Sequence, residues 1–138
     1  MTDCAKQPLG YLLNRVAVAL RAELTASVLE PFDLTFSQYI CMRMLSHAPG
    51  KSNADLARDA NVSPQAMNMV VRGLQDRGLV ARPATVSSGR SLPTELTREG
   101  VALLKRTEPG LHEAEQRVLS PLKEQDQRNL RRILAELG

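Results

Sequence analysis

The sequence predicts a mainly α-helical fold with one small β-hairpin, and three observations carry that prediction. Aromatic residues make up only 3% of the 138 residues, namely Tyr11, Phe32, Phe36 and Tyr39, with no tryptophan. A core built almost wholly from Leu, Val, Ala, Ile and Met suits packed helices better than sheets. Apolar residues also recur at three- and four-residue spacing through most of the chain, the period of an amphipathic helix. Near Leu92, Thr94 and Leu96 that period gives way to alternation, as a strand requires.

Each element follows from local chemistry. Leu9, Leu12, Leu13, Val16, Leu20, Leu24 and Val28 lie along one stripe of a long first helix, residues 9–30, which Pro31 ends. Thr35 caps a second helix carrying Tyr39, Ile40, Met42, Met44 and Leu45, closed by Ala48-Pro49-Gly50. Ser52 or Asn53 caps a short third helix ending at Ala60, and Asn61 suits the left-handed turn after it. Ser63-Pro64 opens a fourth helix, with proline where its missing N–H costs nothing, and Gly78 stops it just beyond Asp76. Leu79 to Arg82 is a short strand, and Leu92 to Leu96 its partner, kept short or at an edge by Pro93. The polar run 84–91 between them is a hairpin tip. Thr97 caps a fifth helix with Val101, Leu104, Leu111, Val118 and Leu119 as its buried positions, kinked and not ended at Pro109-Gly110. Ser120-Pro121 repeats the start signal for a last helix bearing Leu130, Ile133, Leu134 and Leu137.

Composition excludes several classes. With 43% hydrophobic and 24% charged residues the chain is neither disordered nor membrane-embedded, since no apolar run approaches the roughly 20 residues that cross a bilayer. Its start, Met1-Thr2-Asp3-Cys4-Ala5-Lys6, has no signal-peptide pattern, so a cytoplasmic location is expected. Cys4 and Cys41 show no CxxC spacing, which speaks against a disulfide framework or zinc site. Two histidines, His47 and His112, no glycine-rich phosphate loop and no nucleophile–base motif leave no metal, cofactor or enzymatic reaction to expect.

Helix, tight turn, helix and hairpin across residues 53–97 make the arrangement of a winged helix-turn-helix. At about 100° per residue, Met67, Val70, Val71 and Leu74 share one side of the fourth helix. Gln65, Asn68, Met69, Arg72 and Asp76 point the other way. Gln and Asn match adenine and Arg matches guanine in bidentate pairs, while Ser63 at the helix start suits a phosphate. The alternative is a merely solvated helix face, on a module used for protein contact without DNA. Charge does not decide: Lys51, Arg58, Arg72, Arg77, Arg82, Arg90 and Arg98 against Asp55, Asp59, Asp76, Glu95 and Glu99 leave +2 locally, within +3 overall. Leucine-rich stripes at both chain ends exceed what the central module can bury and point to a homodimer.

The run Leu34-Thr35-Phe36-Ser37-Gln38-Tyr39, then Asn53-Ala54-Asp55-Leu56-Ala57, Val62-Ser63, Leu74 to Val80, Gly89-Arg90 and Leu96 to Gly100 resembles the multiple-antibiotic-resistance regulator (MarR) family. The resemblance spans Leu9 to Leu137 and implies a single 138-residue domain acting as a homodimeric transcriptional regulator, most often a repressor, on a palindromic operator. It implies dimerisation helices over 9–30 and 98–137 and a DNA-binding module over 34–97. Ser63, Gln65, Asn68, Met69 and Arg72 would then face DNA from the recognition helix, with Arg82 and Arg90 on the wing. Arg90 matches the wing arginine that family members place near the minor groove, and Ser88 replaces an acidic residue often found two positions before it.

The family commonly answers to small phenolic or anionic molecules, and Tyr11, Arg15, Arg43 and His47 have the chemistry to bind one. Their alternative roles are dimer packing for Tyr11, surface ion pairs for the arginines and a helix-end contact for His47. Some relatives sense oxidants through cysteine, and a cysteine-based redox-sensing regulator is the alternative here, although Gly10 stands where that branch's reactive cysteine would align, Cys4 lies six residues earlier and Cys41 is expected to be buried in the second helix.

Overall fold

The computed structural model describes residues 6–82 and 93–138. Along them run α1 (Leu9–Leu24), α2 (Phe36–His47), α3 (Asn53–Ala60), α4 (Pro64–Asp76), β1 (Val80–Ala81), β2 (Glu95–Leu96), α5 (Arg98–Leu119) and α6 (Glu124–Leu137). Cys4, the hairpin tip with Ser88 and Arg90, and Leu92 lie outside the described residues. Two compact units emerge: a central one, Leu29–Glu108, and a terminal one made of Met1–Val28 with Pro109–Gly138. The first half of α5 therefore belongs with the central unit.

Helices of the central unit start where their side chains can replace missing backbone partners. Thr35 Oγ1 accepts from Gln38 N at 3.1 Å while Gln38 Oε1 accepts from Thr35 N at 3.0 Å, a reciprocal capping box. Ser52 and Asp55 form a second one at the start of α3, so Ser52 is the cap and Asn53 the first helical residue. Ser63 Oγ accepts from Ala66 N at the start of α4, and Thr97 Oγ1 from Gly100 N at the start of α5, both at 3.1 Å.

Three helical ends share one hydrogen-bond pattern. Left-handed Asp33, Asn61 and Gly78, with φ of 55°, 56° and 72°, let the next N–H reach back to the carbonyls of Leu29, Ala57 and Leu74. Such closures satisfy carbonyls that a helix end leaves orphaned. β1 and β2 then pair antiparallel, Val80 with Leu96 and Ala81 with Glu95. Lys51, just before α3, extends this ladder through a bridge to Thr94, a contact that no hydropathy signal at Lys51 announces. Leu29, Cys41, Met42, Leu45, Leu56, Met67, Val71 and Leu74 fill the interior.

The structure corrects three expectations. Regular α-helix ends at Leu24 and passes through a π-turn, Thr25–Leu29, into a 3-10 turn, Glu30–Phe32. Pro31 sits within that first 3-10 turn, where an N–H has no partner to lose. Val101 is exposed and Leu103 is buried in its place beside the expected Leu104, because α5 meets the chain through Gly100. Ser120-Pro121 lies in the turn after α5, and α6 starts at Glu124. The Gln127 side chain donates to the carbonyls of Leu119 and Leu122, both at 3.1 Å, and so finishes α5 across that turn. Pro109, as expected, does not end α5. Gly110 beside it leaves room for Val28, whose Cγ2 a Cβ would approach to 3.2 Å.

Gly100 makes the tightest approach: a Cβ there would lie 2.2 Å from the backbone oxygen of Leu79. Gly100→Ala must displace backbone and is expected to cost about 3 kcal/mol. Gly10→Ala, with nothing within 4 Å, is expected to leave stability unchanged or raise it by up to about 1 kcal/mol. Urea unfolding of both variants, followed by circular dichroism, checks this contrast.

Candidate nucleic-acid interface

The α3–turn–α4 pair is held by specific bonds as well as packing. Asn53 Nδ2 at the start of α3 donates to the Pro64 carbonyl at the start of α4, at 3.1 Å. Ser52 holds the Asp55 carboxyl below the usual carboxylate range through its hydroxyl and its backbone N–H, keeping the α3 cap charged. Lys51 pairs with Asp59 on the last turn of α3, tying that helix to the small sheet.

Burial sorts the faces of α4. Met67, Val71 and Leu74 are enclosed and Val70 is half-buried, while Gln65, Met69, Arg72 and Asp76 are exposed and Asn68 is half-buried. The face expected to point outward does so, with Asn68 at its edge. Ser63 is exposed; its oxygen is engaged with Ala66 N, which leaves the hydroxyl proton free to donate.

The arginines separate into distinct roles. Arg72 is exposed and has no partner among the described residues. Arg82 turns inward at the base of the hairpin: its Nε donates to Thr94 Oγ1 at 3.2 Å, and its buried Nη2 has no partner among the described residues. Arg77, which sequence reasoning counted only as charge, clamps the end of α4. Its two Nη atoms donate to the carbonyls of Asp33 and Phe32 at 2.6 and 2.9 Å. One turn earlier, Gly73 leaves room for the Gln38 side chain, whose Nε2 would lie 3.2 Å from a Cβ. The α1–α2 corner is thus stitched to the recognition helix, and only the tertiary fold brings residues this far apart in sequence together.

The four candidate effector residues fall in separate units. In the terminal unit Arg15 lies 5.9 Å from the centre of the Tyr11 ring. In the central unit Arg43 lies 5.4 Å from the Tyr39 ring centre and donates to its hydroxyl at 3.0 Å, and His47 is the exposed last residue of α2. Tyr39, which the sequence places in the motif opening the second helix, is the ring and hydroxyl that Arg43 meets. No group of three or more His, Cys, Asp or Glu suited to a metal occurs among the described residues. No described helix is long and apolar enough to cross a membrane.

Comparison with known proteins matches this arrangement. The sequence model of the MarR family fits residues 32–91. Over 131 residues the chain is 55% identical to the HTH-type transcriptional repressor Rv2887 of Mycobacterium tuberculosis, spanning 95% of this chain and 94% of that one. The chain belongs to the MarR family. Crystal structures of the Mycobacterium tuberculosis protein extend the likeness to three dimensions. Its complex with salicylic acid superposes with a TM-score of 0.80 at 54% identity, covering 96% of this chain and 98% of that one. Its complex with DNA gives a TM-score of 0.80 at 49% identity, covering 96% and 99%.

Within this MarR-family fold Cys41 is fully buried. Burial pushes its thiol up to about 11, against the opposing pull of the Arg82 charge. At pH 7 only about one such thiol in ten thousand is the reactive thiolate. In a Cys4→Ser background, Cys41 is therefore expected to resist alkylation and peroxide at neutral pH until denaturant unfolds the chain. Mass spectrometry checks this, and labelling of the folded protein at a rate within tenfold of the unfolded one would contradict it.

Proposed function

We propose that this MarR-family chain is a homodimeric, ligand-responsive repressor that reads a palindromic operator. The observation that carries the proposal is the sorting of α4, whose apolar side is locked into the core while Gln65, Met69 and Arg72 stand exposed beside half-buried Asn68. A helix whose exposed face carries those side chains matches what major-groove recognition uses. Ser63 suits a phosphate at the helix start. Arg72 is the base-reading arginine, and Arg90, outside the described residues, is assigned to the minor groove by its match to the family's wing arginine alone. Arg82 supports the base of the wing through Thr94 and contributes its charge there. The solved DNA complex of the Mycobacterium tuberculosis relative supports this assignment by similarity.

The terminal unit supports the dimer. Leu9, Leu13, Val16 and Val18 on α1 and Ile133, Leu134 and Leu137 on α6 are exposed. An open groove of about 240 Å³, lined by Val16, Leu20, Leu119, Leu130 and Leu134 among others, runs through this face. A second copy of the chain would cover it. Dimerisation doubles the net charge to +6 and sets two recognition helices about one DNA turn apart.

The effector class is a small aromatic acid, as the salicylic acid complex of the relative suggests. Arg15 beside Tyr11 and Arg43 beside Tyr39 pair a guanidinium with a phenol ring, the chemistry that holds a carboxylate next to an aromatic face. Tyr11, Arg15, Arg43 and His47 are the effector-binding candidates.

Selection of duplexes from a random pool is expected to enrich an inverted repeat whose half-site centres lie about 10–11 base pairs apart. On that operator Arg72→Ala should lose about 1–3 kcal/mol and relax the preference at one base pair per half-site. A uniform loss on all sequences would make Arg72 a phosphate contact instead. Absence of palindromic enrichment would favour a protein-contact module over a regulator.

A further inference from the structure

We infer that Met69 is a specificity-determining residue which packs against the C5-methyl group of a thymine in each operator half-site. The inference rests on α4 being the recognition helix and goes beyond it by assigning base chemistry to a side chain with no hydrogen-bonding capacity for the task.

The first observation is exposure. Met69 is 75% exposed, the highest value among the exposed large apolar side chains of the described residues. In the terminal unit such side chains are many and cluster on α1 and α6. Among the described residues of the central unit there are only three, Val62, Met69 and Val101. Val101 at 42% and Val62 at 39% are each little more than half as exposed as Met69. Among the described residues of the central unit, Met69 is thus by a wide margin the most exposed large apolar side chain.

The second observation is position. Met69 is the sixth residue of α4, four after Gln65 and three before Arg72, so the three side chains adjoin along one face. It sits within the first two turns, the part of a recognition helix that approaches base edges. Gln65 and Arg72 are matched to adenine and guanine by their hydrogen-bonding atoms. Between them a thioether offers neither a strong donor nor a strong acceptor, and facing a bare polar base edge it would strip water and return nothing.

Only one major-groove feature rewards such a side chain, the thymine C5-methyl group. Methionine is also well suited to it. Its unbranched, polarisable end adjusts to the groove with low strain, and the contact removes apolar surface of both partners from water.

The test uses the full-length protein and an operator selected from a random pool, with each thymine replaced in turn by deoxyuridine. That change deletes one methyl group and leaves every hydrogen-bonding atom in place. The wild-type protein is expected to lose about fourfold in affinity per half-site at one thymine position, the factor for moving one methyl-sized group out of water. Met69→Ala should bind the thymine and deoxyuridine duplexes equally, and Met69→Leu, which keeps an apolar end, should retain discrimination. A wild-type protein indifferent to every substitution, or a Met69→Ala protein that keeps the discrimination, overturns the inference. So does a Met69→Ala loss of equal size on unrelated duplexes, which would mean an effect through the fold. Failure to select any operator would be a separate result, removing the repressor reading itself and this inference with it.

Discussion

Closing Met67, Val71 and Leu74 into the interior is the constraint on which the rest of the structure depends. A helix that turns about 100° per residue cannot bury those three positions without presenting Gln65, Met69 and Arg72 to the outside. The chemistry of the outward face is thus set by packing on the opposite one. Buried residues thus decide which side chains are exposed.

Much of the remaining fold serves to hold that helix at a fixed angle. Its start is tied to α3 by Asn53 and capped by Ser63. Its end is closed by left-handed Gly78 and clamped by Arg77 to the corner between α1 and α2. Gly100 brings α5 against the backbone of Leu79 just beyond. Because the Asp33 corner directly follows the π-turn and 3-10 turn that end the first helical segment, a change in that segment has a hydrogen-bonded route to α4.

Charge is managed locally and is not massed. Lys51 and Arg58 are paired with Asp59 and Asp55, Arg77 is used on carbonyls and Arg82 on Thr94. Among the described residues of α4, Arg72 is the one cation, so little positive charge stands on that helix. The same economy keeps Cys41 inert: it is a small packing residue under the hairpin, and its burial opposes ionisation more strongly than Arg82 promotes it.

The sequence by itself determined where α2 to α5 start and where α3 and α4 stop, because caps at Thr35, Ser52, Ser63 and Thr97 and left-handed turns at Asn61 and Gly78 act over three or four residues and need no tertiary context. It determined the two faces of α4 for the same reason, since helical period is a local property. Tertiary structure alone decided what those local rules leave open. Val101 and Leu103 are both plausible buried residues by period, and the close approach at Gly100 chose Leu103. Ser120-Pro121 carries a start signal equal to that of Ser63-Pro64, yet α6 begins at Glu124, with Gln127 reaching back across the turn to finish α5. Arg77 read only as a positive charge, and Arg82 as a wing arginine facing DNA, until the fold supplied the carbonyls of Phe32 and Asp33 to one and Thr94 to the other. A side chain's partner across 12 or 45 residues is set by the path of the whole chain, and no local rule can state it.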